Sequence, residues 1–191
     1  MSKYNRNEIL QAGIDILTQN GYSGLGVQHV LKQCGIPKGS FYNFFENKDA
    51  FVLEALKLYD KHINEQLQSI DQEEISPMDK ILKYYKNMNE FFFNDGDIKT
   101  CPMMNVVSDN VENEMLLYFI NDGISGHRSY IDKWIYEGIE SGQIPKKHSP
   151  EILALMLYDN YQGAVLRMKY ELSKEPLKQF IEVVIPFYLS K

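Results

Sequence analysis

Residues 27–45 read Val27-Gln28-His29-Val30-Leu31-Lys32-Gln33-Cys34-Gly35-Ile36-Pro37-Lys38-Gly39-Ser40-Phe41-Tyr42-Asn43-Phe44-Phe45. Val27, Val30, Leu31 and Cys34 recur at spacings of three and four, which places them on one face of a helix and leaves Gln28, His29 and Lys32 outside. Gly35 stands where a helix commonly ends in the left-handed conformation that glycine adopts without steric cost. Pro37 has its φ preset for a first helical turn and brings no amide that would need a partner there. The pattern predicts a helix, a glycine-closed turn and a short second helix from about Lys38. Phe41 and Phe45, four apart, face inward. That is the build of a DNA-reading helix-turn-helix.

Around this core, Gly21-Tyr22 comes before and Asn47-Lys48-Asp49-Ala50 follows. Together with Lys38-Gly39-Ser40-Phe41-Tyr42-Asn43-Phe44-Phe45, these elements resemble the amino-terminal domain of TetR/AcrR-type transcriptional regulators over about residues 5–59. There are two departures. Leu25-Gly26 stands where the family usually has a Ser or Thr cap on the first motif helix, and Pro37 where a Ser often caps the recognition helix. They bear on individual phosphate contacts, not on the fold.

The chain has 191 residues, 44% hydrophobic and 24% charged, and a net charge of −6. This composition suits a soluble globular protein of one or two domains. The charge is divided unevenly. Residues 1–48 carry Lys3, Arg6, Lys32, Lys38 and Lys48 against Glu8, Asp15 and Glu46, a net +2, which leaves −8 for residues 49–191. Only the amino-terminal end attracts phosphate, and mildly, which predicts weak non-specific binding that falls steeply with salt. No run approaches the roughly 18 apolar residues that span a bilayer, and no basic-then-apolar leader opens the chain, so a cytoplasmic protein without membrane contact is expected. Cys34 and Cys101 form no paired framework and are expected as free thiols.

The remaining sequence reads as all-α. Ile9, Ala12, Gly13, Ile16 and Leu17 make a supporting helix that ends at Asn20-Gly21. Asn47 caps a long helix with Phe51, Val52, Ala55, Leu56, Tyr59, Ile63 and Leu67 on its face, ending before Asp71. Ser76-Pro77 opens a helix through Phe91-Phe92-Phe93, broken at Asn94-Asp95-Gly96-Asp97, and Thr100-Cys101-Pro102 opens the next. Ser149-Pro150 and Glu175-Pro176 start two more, the last running toward Tyr188. Its apolar positions Leu177, Phe180, Ile181, Val184, Ile185, Phe187 and Tyr188 exceed the roughly 100° stripe of a helix buried on one side. A second buried side needs a partner, and the resemblance likewise implies a homodimer through a four-helix interface. The expected division is a helix-turn-helix DNA-binding domain over 1–48 and a helical effector-binding and dimerisation domain over 49–191.

The candidate DNA contacts are Gln28, His29, Lys38, Gly39, Ser40, Tyr42, Asn43 and Lys48, with the lysines on phosphate and Tyr42 on phosphate or the apolar face of thymine. In the family pattern the aromatic matching Tyr42 and the lysine matching Lys48 approach the backbone. For Tyr42 and Phe44, core packing is the competing reading. The candidate effector-binding residues are Met88, Phe91, Phe92, Cys101, Met104, Tyr118, Trp134, Tyr158 and Tyr161, a lining for a small apolar, aromatic or electrophilic molecule. For Cys101, a helix start marked by Pro102 and the nearby Lys99 would favour thiolate, and the segment resembles a Cys-containing stretch in the electrophile-sensing branch of the family. A small buried hydrophobe is the other reading.

His29, His62, His127 and His148 are scattered, and no His-Glu-x-x-His, Gly-rich phosphate loop or Gly-x-Ser-x-Gly turn is present. Neither catalytic residues nor a metal or cofactor site is expected. The expected function is a one-component regulator, a repressor by the family's base rate, released from a pseudo-palindromic double-stranded operator by a small-molecule effector. The alternatives are a helical dimeric ligand-binding or interaction protein without sequence-specific DNA binding, and a helical-bundle enzyme.

Overall fold

Asn5 opens the first helix by accepting the Asn7 amide on its side chain at 3.0 Å, and in the computed structural model, which describes residues 5–94, 97–109 and 112–190, ten α-helical segments follow in chain order. They are α1 (Arg6–Gly24), α2 (Val27–Cys34), α3 (Lys38–Tyr42), α4 (Lys48–Asp71), α5 (Pro77–Phe92), α6 (Pro102–Ser108), α7 (Glu114–Glu140), α8 (Pro150–Glu171), α9 (Glu175–Gln179) and α10 (Ile185–Leu189). The architecture is all-α. Two-residue strands β1 (Phe93–Asn94) and β2 (Asp97–Ile98) pair antiparallel with Phe93 opposite Ile98. The expected break after α5 is thus a small hairpin, of which Asp95 and Gly96 lie outside the described residues.

Packing divides the chain into two compact units, residues 1–62 with 100–123 and residues 63–99 with 124–191. This partition differs from the expected functional boundary at 48/49, because α6 and the start of α7 pack with the amino-terminal segment.

In the amino-terminal unit, Ile9, Leu10, Ile14, Ile16 and Leu17 of α1 and Val30 and Leu31 of α2 are buried. An aromatic nucleus joins α3 to α4: the Phe51 ring lies 5.1 Å from Phe41 and 4.8 Å from Phe45. Asn47 caps α4, its Oδ1 accepting the Ala50 amide at 2.9 Å. Gly123 stands inside α7 because a Cβ there would lie 2.9 Å from Asp60 Oδ1 and 3.3 Å from Met103 Cε.

In the second unit, α8 buries Leu153, Ala154, Leu157, Tyr161, Ala164, Val165 and Met168. The last helix is not uniform. Between α9 and α10 the chain widens into a π-helical turn over Phe180–Val184. Pro186 follows after Ile185, and a proline in a helix interior lacks the amide and crowds the residue four before it; the wider turn makes room. Trp134 on α7 is wholly buried and donates its indole N–H to Asp71 Oδ1 at 2.8 Å. Burial alone would raise the Asp71 carboxyl, but hydrogen bonds from Lys133 and Trp134 outweigh it and hold Asp71 below the usual carboxylate range. A carboxyl lowered on folding adds stability above its unfolded pKa of about 3.9, which is lost as pH falls through the folded value. Asp71→Ala will cost about 1–3 kcal/mol in urea titrations, chiefly by orphaning the Trp134 indole, since the exposed Lys133 pair adds little. It will also flatten the acid limb of stability followed by the fluorescence of this single tryptophan. An unchanged acid limb would refute the assignment.

Candidate nucleic-acid interface

Gly35 closes α2 with φ 64° and ψ 31°, its amide bonding to the Leu31 carbonyl, to which the Ile36 amide also bonds at 3.1 Å. The turn is therefore locked by glycine geometry and by Ile36, which is buried behind it. Pro37 precedes α3 as its N-cap, and neither α2 nor α3 receives a side-chain cap. Where a capping hydroxyl is common in the resembling family, Leu25 instead fills the core with no exposure. The departure in sequence is an apolar plug in structure.

Phe41 and Phe45 turn inward, and the side chains left outside form one set. Gln28 and His29 on the first turn of α2 are exposed, as are Lys38, Gly39, Tyr42 and Asn43 on and after α3, while Ser40 is half-buried. Tyr42 is 47% exposed, which resolves its two readings in favour of the surface. Its ring lies edge-on to Phe41 at 5.4 Å, with the Lys38 ammonium 6.0 Å from its centroid. Phe44 is half-buried, its ring 6.1 Å from Phe45.

Lys48 is half-buried rather than a free surface cation. Its ammonium donates to the Tyr22 carbonyl at 2.7 Å and lies 3.8 Å over the Tyr22 ring. Burial pulls its pKa down, against the charges of Asp49 and Asp109. The Tyr22 hydroxyl donates to Asp49, and burial with that bond pushes the phenol up to about 12. Tyr22 and Asp49 were not among the expected site residues. No spacing rule joins positions 22 and 48; the only hint is that both lie in the short segments that carry the family resemblance.

The expected effector residues are divided between the two units. Cys101, Met104 and Tyr118 belong to the amino-terminal unit, and Met88, Phe91, Phe92, Trp134, Tyr158 and Tyr161 to the second. Tyr118 is 74% exposed, because Leu116 and Ile120, four apart on α7, take the inward face and leave position 118 outside. Trp134 is a core residue held by Asp71. Phe91 is exposed, its ring 5.8 Å from the Lys99 ammonium. Met88, Phe92 and Tyr161 are buried and Tyr158 half-buried. Tyr161 packs at 4.9 Å from both Tyr85 and Phe180, and 6.5 Å from Phe92. Within this aromatic group the Tyr161 hydroxyl donates to Asn89 Oδ1 at 2.9 Å, and Asn89 Nδ2 donates to the Leu177 carbonyl at 3.2 Å. Asn89, Tyr85 and Phe180 are the additions here. A polar side chain one turn after Tyr85 on an otherwise apolar face was the available signal.

Cys101 caps the start of α6 and is half-buried. Burial pushes its thiol up, outweighing the Met104 and Met103 amides and the Tyr59 hydroxyl that pull it down. Of the two readings of Cys101, this favours the small buried hydrophobe over the thiolate. Both cysteines are free. Among the described residues no helix is long and apolar enough to cross a membrane.

Residues 9–55 match the family described as bacterial regulatory proteins, tetR family. The chain is 32% identical over 182 residues to the HTH-type transcriptional repressor DhaR of Mycobacterium sp. strain GP1, covering 94% of this chain and 89% of that one. It is 29% identical to the HTH-type transcriptional repressor NemR of Escherichia coli K12, over 91% of this chain and 88% of NemR. The crystal structure of reduced E. coli NemR superposes with a TM-score of 0.83 at 27% identity, covering 92% of each chain. With the glycine-locked turn, the outward row on α2 and α3 and relatives alike over nearly their whole length, the chain belongs to the TetR family and is a DNA-binding transcriptional regulator, not an enzyme.

Proposed function

We propose that this protein is a repressor that binds a pseudo-palindromic operator as a cytoplasmic homodimer, and that a small apolar or aromatic molecule releases it. The observation that carries the DNA-reading part is the outward set Gln28, His29, Lys38, Gly39, Tyr42 and Asn43, around the half-buried Ser40. Residues 1–48 read DNA and residues 49–191 sense the effector and dimerise. A helix of five residues reaches only 3 or 4 base pairs, so specificity needs two heads related by a twofold axis.

Support for the dimer comes from α8 and the chain end. Besides its buried face, α8 exposes Ile152, Leu155, Leu166 and Tyr170, and beyond it Val183 and Phe187 are exposed by 61% and 75%. A helix apolar on both sides has a second surface to cover. For the effector, Met88, Phe92, Tyr158 and Tyr161 with the polar pair Asn89–Tyr161 offer apolar contact and one orienting hydrogen bond. The raised Cys101 thiol weighs against an electrophilic inducer reacting there. Equal induction of Cys101→Ser and the parent by the natural inducer is the expected result.

Selection from random duplex DNA tests the reading. Recovery of one motif with inverted half-sites supports it; recovery of no motif above bulk competitor overturns it and leaves the alternative of an interaction protein. On the selected operator, Lys48→Ala will weaken binding to all sequences by about tenfold and reduce the salt slope by about 1, with base preference unchanged. Fluorescence anisotropy against salt reads this, and an altered base preference would refute a phosphate role.

A further inference from the structure

Helix α1 is kinked at Gly21, which has the non-helical φ 72° and ψ −173°. A break in a helix interrupts the regular bonding of the carbonyls in the turn before it. Residues more than 80 positions away bond to the chain on either side of this break. Asn105 Nδ2 donates to the Leu17 carbonyl at 2.7 Å and to Thr100 Oγ1 at 2.7 Å. The hydroxyl and the amide of Thr100 each reach the Thr18 carbonyl at 3.1 Å, and Thr100 is only 6% exposed. Past the kink, the Ser23 amide donates to Asp109 Oδ2 at 2.7 Å. Asn113 Nδ2 then donates to Asp49 Oδ2 at 2.8 Å, at the first turn of α4. Gly21 fits this arrangement, since a Cβ there would lie 2.7 Å from Asp109 Oδ2. All of these contacts lie within the amino-terminal unit, and Thr100 is its first residue after the chain leaves the second unit.

We propose that Thr100, Asn105 and Asp109 are positioning residues for operator recognition: they cap α1 from outside the helix-turn-helix and fix its bearing, and so decide which half-site spacing the protein accepts. None of the three belongs to the outward set on α2 and α3. Their effect therefore falls on where each head points, not on which bases it prefers. One added base pair moves a half-site by about 3.4 Å and turns it by roughly a tenth of a helical turn. A head held by four hydrogen bonds, one to a carboxylate, resists that adjustment; a head with the clasp opened follows it.

The inference rests on the dimeric operator reading, and the experiment separates the two. Wild type, Asn105→Ala, Asp109→Ala and Asp109→Asn are titrated against the selected operator and against versions with one base pair added or removed between half-sites. The wild type is expected to lose at least about tenfold on respacing. In the two alanine variants that penalty falls to about threefold or less, with half-site base preference and bulk-DNA affinity unchanged. Asp109→Asn, whose amide oxygen still accepts the Ser23 N–H, keeps the wild-type penalty. Wild-type binding without any spacing preference overturns the dimeric operator reading and the clasp with it. A sharp wild-type preference that both alanine variants retain overturns the clasp alone. Should Asn105→Ala fail to fold, Asp109→Ala decides, and amide exchange at Ser23 reports directly whether its bond has been lost; a clasp that is lost without any change in spacing tolerance also overturns the proposal.

Discussion

On the proposed homodimer, glutamate at both Leu166 and Phe187 will give a monomer and lower its affinity for a two-half-site operator by at least about a hundredfold. Joining two heads makes the second binding event intramolecular, which is worth about 10²- to 10⁴-fold, and the monomer forfeits all of it. The single chain will tolerate the change. Leu166 is 63% exposed and Phe187 75%, and surface substitutions usually stay within about 0.5 kcal/mol. Across a dimer interface the same carboxylates would be buried without partners, which is costly. Tyr136→Glu is the control, an apolar residue 56% exposed on α7 and outside the α8–α10 surface. Sedimentation and anisotropy on full operator and isolated half-site check the result: half-site affinity stays, full-site affinity collapses, and the control behaves as wild type. A double variant that remains dimeric, or a monomer that keeps operator affinity, refutes this interface.

The parts of the molecule legible in sequence are those whose cause is local. The left-handed Gly35 and the start after Pro37 follow from backbone preferences of the residues themselves and appear where those preferences put them, while the stop expected at Gly21 is a kink, with α1 running on to Gly24. The same holds for Ser76 and Ser149, which cap α5 and α8 by accepting the Asp79 and Ile152 amides. The hairpin after α5 was read only as a break, because two-residue strands leave no alternation to detect. The π-helical turn was missed because the apolar pattern from Leu177 to Tyr188 passes through Pro186 without a change of face.

At the site, the outward row on α2 and α3 was legible because a short helix with inward Phe41 and Phe45 leaves few orientations for its neighbours. What was not legible depends on contacts between distant positions. Lys48 on Tyr22, Asp109 on Ser23 and Asn105 on Leu17 join residues 26 to 88 apart. For the effector candidates, what the sequence does not show is burial, for the same reason. Residue type selected aromatic and sulfur side chains correctly as apolar, but whether each faces core, surface or cavity is set by the partner helix. Tyr118 and Tyr161 look alike in sequence and end at 74% and 5% exposure.

Gly13→Ala will destabilise the amino-terminal unit by about 1–3 kcal/mol, although alanine is the better helix former by about 1 kcal/mol. The opposing effect is steric. A Cβ at position 13 would lie 2.5 Å from Phe51 Cζ and 3.0 Å from Cε1. Phe51 cannot yield, being wholly buried with Phe41 and Phe45 at its edges. Overpacking therefore outweighs propensity, and because Phe41 belongs to α3, a displaced Phe51 shifts the seat of the reading helix as well. Phe51→Leu alone leaves a void and is also destabilising. Combined, the smaller leucine makes room for the added methyl, so the double variant will lose less than the sum of the two. Operator affinity follows the same order, lowest in Gly13→Ala and partly restored in the pair. Urea titrations of the three variants decide it: additive losses, or a Gly13→Ala change that is stabilising, would mean that the ring has freedom which its packing denies it.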